Sequence, residues 1–243
     1  MFEDFPKKRI ELPEEFKKIY ASHYKKNRGG KTVATSLSQK MESWLHKKVA
    51  ADCKPGENKS TLEIGAGTLN QLQYESNSPY DIIEPFKVLF ENSLDLKKVN
   101  AVYNDIDDVN ESNRYDRIIS IATFEHVEDL PKVVAKTCLL LKEGGTLRIS
   151  IPNEGTFLWA LSWKLTTGLE YKLKYGLDYS ILMKYEHVNT ANQIEEVLNY
   201  FYSKTKCSCF GFGKIFAFYR FYECSVPKIE EAKKYLESQK QKT

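Results

Sequence analysis

Three acidic residues recur where short apolar runs end: Glu63 in Glu63-Ile64-Gly65-Ala66-Gly67, Glu84 in Asp81-Ile82-Ile83-Glu84-Pro85, and Asp105 in Asn104-Asp105-Ile106. The two glycines let the backbone approach a ligand closely, and the acid beside them places negative charge in the same crevice. A dinucleotide pyrophosphate is repelled there, whereas a ligand carrying an ammonium and a sulfonium is attracted. A GxG turn alone is weak evidence. Glu84, however, follows Gly65 by 19 residues, the spacing at which a carboxylate at a second strand end accepts hydrogen bonds from both ribose hydroxyls. Asp105, at a third strand end, is placed to accept from an adenine amino group, with Ile106 against the ring. The three acids together describe a nucleoside with a cationic tail.

Such residues must be positioned by strands. Short buried-type runs occur near 61–67, 80–85, 100–106, 116–123 and 146–152. Helical patterns between several of them, such as Leu130 to Gly145, imply right-handed crossovers and a parallel sheet covered on both faces. Residues 206–224 read as two strands joined at Gly211 to Gly213, a hairpin closing one edge antiparallel to the rest. The expected architecture is therefore a doubly wound, seven-stranded, mostly parallel α/β sheet of Rossmann-like type. Upstream, 13–27 has acids early and lysines late, which suits a helix dipole. Ser36 and Gln39 have capping-box spacing for a second helix, as do Thr190 and Gln193 for a later one. The aromatic stretch 154–188 is expected to supply one or two helices and to act as a lid. The division expected is a helical cap over 1–55, a ligand-binding core over 56–153, the lid over 154–188, the rest of the core over 189–227 and a charged helical tail over 228–243.

Composition bounds the classes. A chain of 243 residues with 15 Tyr and 13 Phe can bury enough apolar surface to offset its ordering entropy, so disorder as the main state is excluded. No run approaches the roughly 20 apolar residues of a membrane span. The acidic, proline-containing N-terminus is unlike a secretory signal, and the five scattered cysteines read as reduced thiols, so a cytoplasmic location is expected. Cys207 and Cys209 share a strand face. The histidines at 23, 46, 126 and 187 lack zinc-site spacing, and no structural metal is expected. A net charge of +3, with no separate recognition module, argues against nucleic acid as a partner.

From Thr61 to Asn153 the chain resembles the class I methyltransferases that use S-adenosylmethionine, through LEIGAG, DIIEP, NDI, YDRIISIATFEHV and LKEGGTLRISIPN. YDRIISIATFEHV is particularly similar to the cyclopropane-synthase and small-molecule branches. The resemblance implies that Glu63, Gly65 and Gly67 hold the methionine end, Glu84 the ribose, and Asp105 and Ile106 the adenine, while Ile121 and Ala122 line the donor beside its methyl group. Leu69 stands where the family often has a third glycine, which leaves the geometry of the donor turn open.

Methyl transfer also needs an aligned acceptor and often a base, so bases are sought near the fourth and fifth strand ends. His126 follows the fourth strand and serves either as base or as a loop-shaping imidazole. His187 joins the lid to the next helix and is expected to face the acceptor. Glu125 matches an acid lining the active site of the cyclopropane-synthase branch, or else caps a helix. Tyr24 resembles that branch's donor-capping tyrosine, with Tyr20 one turn earlier; both also suit plain packing. Lys25, Lys26 and Arg28 belong to an excess of six basic residues in the first 50, which either steers an anionic acceptor inward or is a solvated face. Trp159 and Trp163 are candidate acceptor contacts on the lid.

The expected function is methylation of a small, anionic, soluble acceptor on oxygen: a sugar, a sugar nucleotide or a phosphorylated precursor of a surface polysaccharide. The alternatives are a lipid- or quinone-directed methyltransferase docking through its apolar lid, a nicotinamide-binding oxidoreductase, and a non-catalytic binding module. The fourth strand ends in Ala-Thr-Phe-Glu and lacks the Asn/Asp-Pro-Pro-aromatic signature of amino-directed enzymes. The oligomeric state is left open.

Overall fold

The computed structural model describes residues 2–19, 36–54, 56–76 and 78–241. Seven strands form one sheet in the order β3-β2-β1-β4-β5-β7-β6: β1 Thr61–Ile64, β2 Tyr80–Ile83, β3 Ala101–Tyr103, β4 Tyr115–Ile121, β5 Leu141–Pro152, β6 Tyr202–Phe212 and β7 Phe216–Pro227. The first five are mutually parallel. β7 lies antiparallel between β5 and β6, so β6 runs parallel to the core. The expected antiparallel C-terminal hairpin is thus present, with β7 as its reversed strand. That follows from β7 taking the place next to β5: a hairpin partner always reverses its neighbour.

Alternation along the strands sorts the apolar side chains into two layers. Leu62, Ile64, Ile118, Leu147 and Ile149 belong to the larger cluster, with α3 (Leu130–Leu140), α7 (Ala191–Phe201) and α8 (Ile229–Lys240). Tyr80, Ile82 and Ile119 belong to the other, with Val49, Leu69 and Leu72. The tail helix α8 is not simply a solvated surface element, because Ala232 and Tyr235 are buried in the larger cluster.

The crossovers differ from expectation. Between the first five strands, and among the described residues, only the β4–β5 connection is an α-helix; the others hold 3-10 turns at Asn70–Gln73, Lys87–Leu89, Leu94–Lys98 and Ile106–Asp108. Connections rich in Gly, Pro, Asn and Ser favour turns over helices. The second face is covered instead by α2 (Ser36–Val49), the expected second helix. Two buried arginines fasten it. Arg117 Nη2 and Arg148 Nε donate to the Val49 carbonyl at 3.1 and 2.8 Å, satisfying the negative end of the helix. Arg117 also pairs with Asp52 and Glu75, and Arg148 with Glu223.

The first helix, α1 over 14–19, begins after Pro13 as expected. Tyr20, Tyr24, Lys25, Lys26 and Arg28 lie outside the described residues, as do the middle of the predicted first helix and His23. The lid consists of α4 (Phe157–Trp163), a π-turn (Lys164–Gly168) and α5 (Leu169–Tyr175) in one continuous rod, then α6 (Tyr179–Glu186). Its Tyr171 and Leu182 pack with Leu12 and Phe16. The Thr190–Gln193 capping box forms as expected.

Candidate functional site

At the first strand end, Glu63 is 2% exposed and accepts from the Tyr80 hydroxyl at 2.8 Å. Burial, with the nearby charges of Glu75 and Glu84, pushes its carboxyl up to about 8 against the pull of the Tyr80 hydrogen bond and Arg117. Gly65 has φ +75, and a Cβ there would collide with the Thr123 side chain. The β1 turn is thereby packed tightly against the end of β4. Glu84 is 3% exposed; its carboxylate accepts from the Gly67 N–H at 2.8 Å and the Phe86 N–H at 3.0 Å. It joins the second strand end to the glycine turn and keeps lone pairs for further donors.

Leu69 explains the missing third glycine. It adopts φ 65 and ψ 26, a left-handed conformation that costs a leucine about 1–3 kcal/mol, and its side chain is 1% exposed in the second cluster. Packing offsets the backbone cost. Asp105 caps its own loop, accepting from the Asp107 N–H at 2.9 Å, with its side chain at the surface. Ile106 is buried in the larger core cluster, so its side chain serves packing beneath the strand end. Ile121 is half-buried, and Ala122 is exposed at φ 48.

The second group assembles at the end of β4 and beneath the lid. Glu125 is 2% exposed, and its Oε2 has no hydrogen-bond partner among the described residues. His126 Nε2 lies 3.7 Å from Glu125 Oε1; its Nδ1 meets the Glu186 carbonyl at 2.9 Å. The His126 and His187 rings stand edge to face at 4.9 Å. His187 Nδ1 lies 2.6 Å from Glu154 Oε2, which also accepts from Trp159 Nε1 at 2.6 Å. One ligand-type atom each of Glu125, His126 and His187 falls within 4.8 Å of the others. Burial pushes the Glu125 carboxyl up to about 7, opposed by the charge of His187. Burial lowers His187, but the Glu154 hydrogen bond and surrounding carboxylates raise it overall.

The backbone holds this group in place. The Val188 and Asn189 N–H groups donate to the Glu125 carbonyl at 2.8 and 3.1 Å, and Asn189 Nδ2 donates to the Phe124 and Val127 carbonyls. Arg9 donates to the carbonyls of His126, Tyr185 and Glu186, so the N-terminal arm clamps both histidine loops. Trp159 joins the group through Glu154 and packs edge-on to Tyr219. Trp163 packs on Tyr179 instead.

Sequence reasoning named Glu125, His126 and His187 separately and missed Glu154, Arg9 and Asn189. Glu154 carried a usable signal, being an acid two residues after the fifth strand, much as Glu84 follows the second. Arg9 and Asn189 carried none, since their role is to hydrogen-bond carbonyls distant in sequence.

The family described as a methyltransferase domain matches residues 34–201. A curated relative, malonyl-[acyl-carrier protein] O-methyltransferase 1 of Ilyobacter polytropus, is 26% identical over 182 residues, covering 68% of this chain and 64% of its own length. The chain thus spans less than two thirds of that relative. Among solved structures, the plantazolicin methyltransferase BpumL with a pentazolic desmethylPZN analog and SAH superposes with TM-score 0.57 at 14% identity, covering 87% of this chain and 91% of that one. A SAM-dependent methyltransferase from Thermotoga maritima superposes with TM-score 0.53 at 14% identity, covering 88% and 99%. These two likenesses concern the fold.

Proposed function

The chain belongs to the methyltransferase-domain family and is an S-adenosylmethionine-dependent methyltransferase; from that premise we propose that it methylates an oxygen of a small anionic acceptor seated against Glu125, His126 and His187. The donor occupies the ends of β1, β2 and β3. Glu63, Gly65 and Gly67 take its methionine end, Glu84 its ribose and Asp105 its adenine, with Ile121 and Ala122 beside the methyl group. The S–CH3 bond breaks with its electron pair left on sulfur as the O–CH3 bond forms, and the acceptor's proton leaves at the histidine group.

The observation that carries this reading is the meeting of Glu125, His126 and His187 just after the end of β4. Alignment of the reactants contributes roughly 7–11 kcal/mol, and a positioned base about 10²- to 10⁴-fold. Anionic character is supported by the basic N-terminal segment with Lys25, Lys26 and Arg28, and by the malonyl group in the name of the curated relative, a malonyl-[acyl-carrier protein] O-methyltransferase. Phosphorylated sugars, sugar nucleotides and carboxylates share that chemistry. The test is transfer of labelled methyl into an extract separated into small soluble molecules, lipids and macromolecules. Label in a small anion supports the reading, and label confined to macromolecules overturns it.

A second reading, action at an anionic phospholipid surface, is favoured by one feature of the lid. Phe157, Leu161, Leu165, Leu169 and Leu173 follow one another every fourth residue and are exposed, from 38% at Leu161 to 80% at Leu173. Four-residue spacing drifts about 40° per step around an α-helix. The wider π-turn at 164–168 takes back part of that drift and keeps the stripe on one face, flanked by Lys164, Lys172 and Lys174. An apolar stripe with flanking cations suits an interfacial helix; no helix of the described residues is long and apolar enough to cross a membrane. Flotation with anionic vesicles, abolished by Leu165→Glu with Leu169→Glu, supports this reading; absence of flotation removes it.

A further inference from the structure

The group beneath the lid brings one ligand-type atom each of Glu125, His126 and His187 within 4.8 Å of one another. Both imidazole Nδ1 atoms face oxygens that can only accept, the Glu186 carbonyl and the Glu154 carboxylate. Each Nδ1 therefore carries the hydrogen, and each Nε2 carries a lone pair when the ring is neutral. Among the described residues Glu125 Oε2 is buried without a donor, and so is Oδ1 of Asn189, whose N–H is bound to the Glu125 carbonyl. Buried acceptors are normally satisfied, and those that are not call for an explanation.

We propose that Glu125, His126 and His187 bind one divalent first-row transition-metal ion. Two imidazoles and a carboxylate suit such ions, and three protein ligands leave positions open for another molecule. Donors held about 2.0–2.2 Å from a common ion stand roughly 3–3.5 Å apart. The Nε2–Oε1 distance of 3.7 Å nearly meets this, and the group as a whole lies within 4.8 Å. A closure of about 1 Å assembles the site. The outer contacts are those that fix metal-binding histidines, with Nδ1–H held by a carboxylate at His187 and by a carbonyl at His126. Glu154 and Glu186 are thus positioning residues for the ligands.

This proposal deepens the function given above and rests on it for the purpose of the ion. Three protein ligands leave positions for the acceptor, and an ion there selects acceptors that present two neighbouring oxygens, such as a carboxylate, a phosphate or a vicinal diol. With the ion bound, the imidazoles serve as ligands in place of the base: a carboxylate or phosphate acceptor arrives already ionised, and a diol gives up its proton to solvent as its oxygen binds the ion.

The test uses untagged, chelator-stripped full-length protein titrated with Co²⁺ alone and followed by visible absorption. One Co²⁺ per chain with no thiolate charge-transfer band is expected, the latter separating this site from Cys207 and Cys209. Glu154→Gln is expected to weaken Co²⁺ binding about 10- to 100-fold while S-adenosylhomocysteine binding stays unchanged, which also certifies the fold. No Co²⁺ binding by the wild-type protein, a thiolate band, or binding that survives His187→Ala combined with Glu125→Gln overturns the proposal; the wild-type titration decides even where a variant does not fold. Methyl transfer that proceeds in excess chelator, without Co²⁺ binding, removes the ion and leaves the methyltransferase acceptor reading standing. Co²⁺ binding with methyl found only on macromolecules does the reverse.

Discussion

The two ends of the proposed site, one for the donor and one for the acceptor, are built differently. At the donor end each acid is held by groups close to it in the chain: Glu84 by Gly67 and Phe86, and Asp105 by Asp107 and its own loop. At the acceptor end, Arg9, the loop after β4, Glu154 after β5 and the residues after α6 must all converge. The donor acids have donors, whereas Glu125 keeps an oxygen with none. Locally organised strand ends suit a constant ligand, and an assembly from four segments can be altered piecemeal to suit a particular acceptor.

The largest expected separation of the two ends is kinetic. His187→Ala is expected to lower kcat about 10²- to 10⁴-fold with S-adenosylhomocysteine affinity unchanged by calorimetry; an equal loss of affinity would merge the two ends into one unit.

Next is the buried acid at the donor end. Glu63 holds its proton in the folded state up to about pH 8, while the unfolded chain releases it near 4.3. The unfolded state then binds fewer protons, so this group's stability contribution is fully present below about pH 4.3 and is lost as pH rises through 8. Glu63→Gln is expected to melt higher than wild type above pH 8, by a few kcal/mol at most, and to match it near pH 4. Melting curves without ligand read this directly, and a pH-independent difference would refute it.

Glu84→Ala is expected to weaken S-adenosylhomocysteine about 10- to 100-fold, the value of one or two hydrogen bonds to a charged group, measured by calorimetry. Unchanged affinity would detach Glu84 from the ribose. The smallest effect is at Leu69. Leu69→Gly relieves the left-handed backbone but loses a buried leucine worth about 2–5 kcal/mol, so a net loss of about 1–3 kcal/mol is expected in denaturant melts. A stabilised variant would show that backbone strain outweighs packing there.

Legibility followed the same division. Buried runs such as Thr61–Ile64 and Tyr80–Ile83, with an acid or glycine at each end, were readable because strand alternation and turn chemistry are local. The Thr190–Gln193 cap was readable for the same reason. The replacement of crossover helices by 3-10 turns was misread, since a short polar connection is compatible with either until packing decides. Leu69 was visible as a departure, but the reason for it, a buried side chain under α2, was not.

From sequence alone came the methyltransferase fold, the donor and the three strand-end acids, because each depends on residues near one another in the chain. Only the tertiary structure decided that Glu125, His126 and His187 share a centre with Glu154, and that Arg117 and Arg148 fasten α2 across the sheet. Those contacts join segments from 33 to 100 residues apart, a separation over which no spacing rule operates and only the folded path of the chain determines which groups meet.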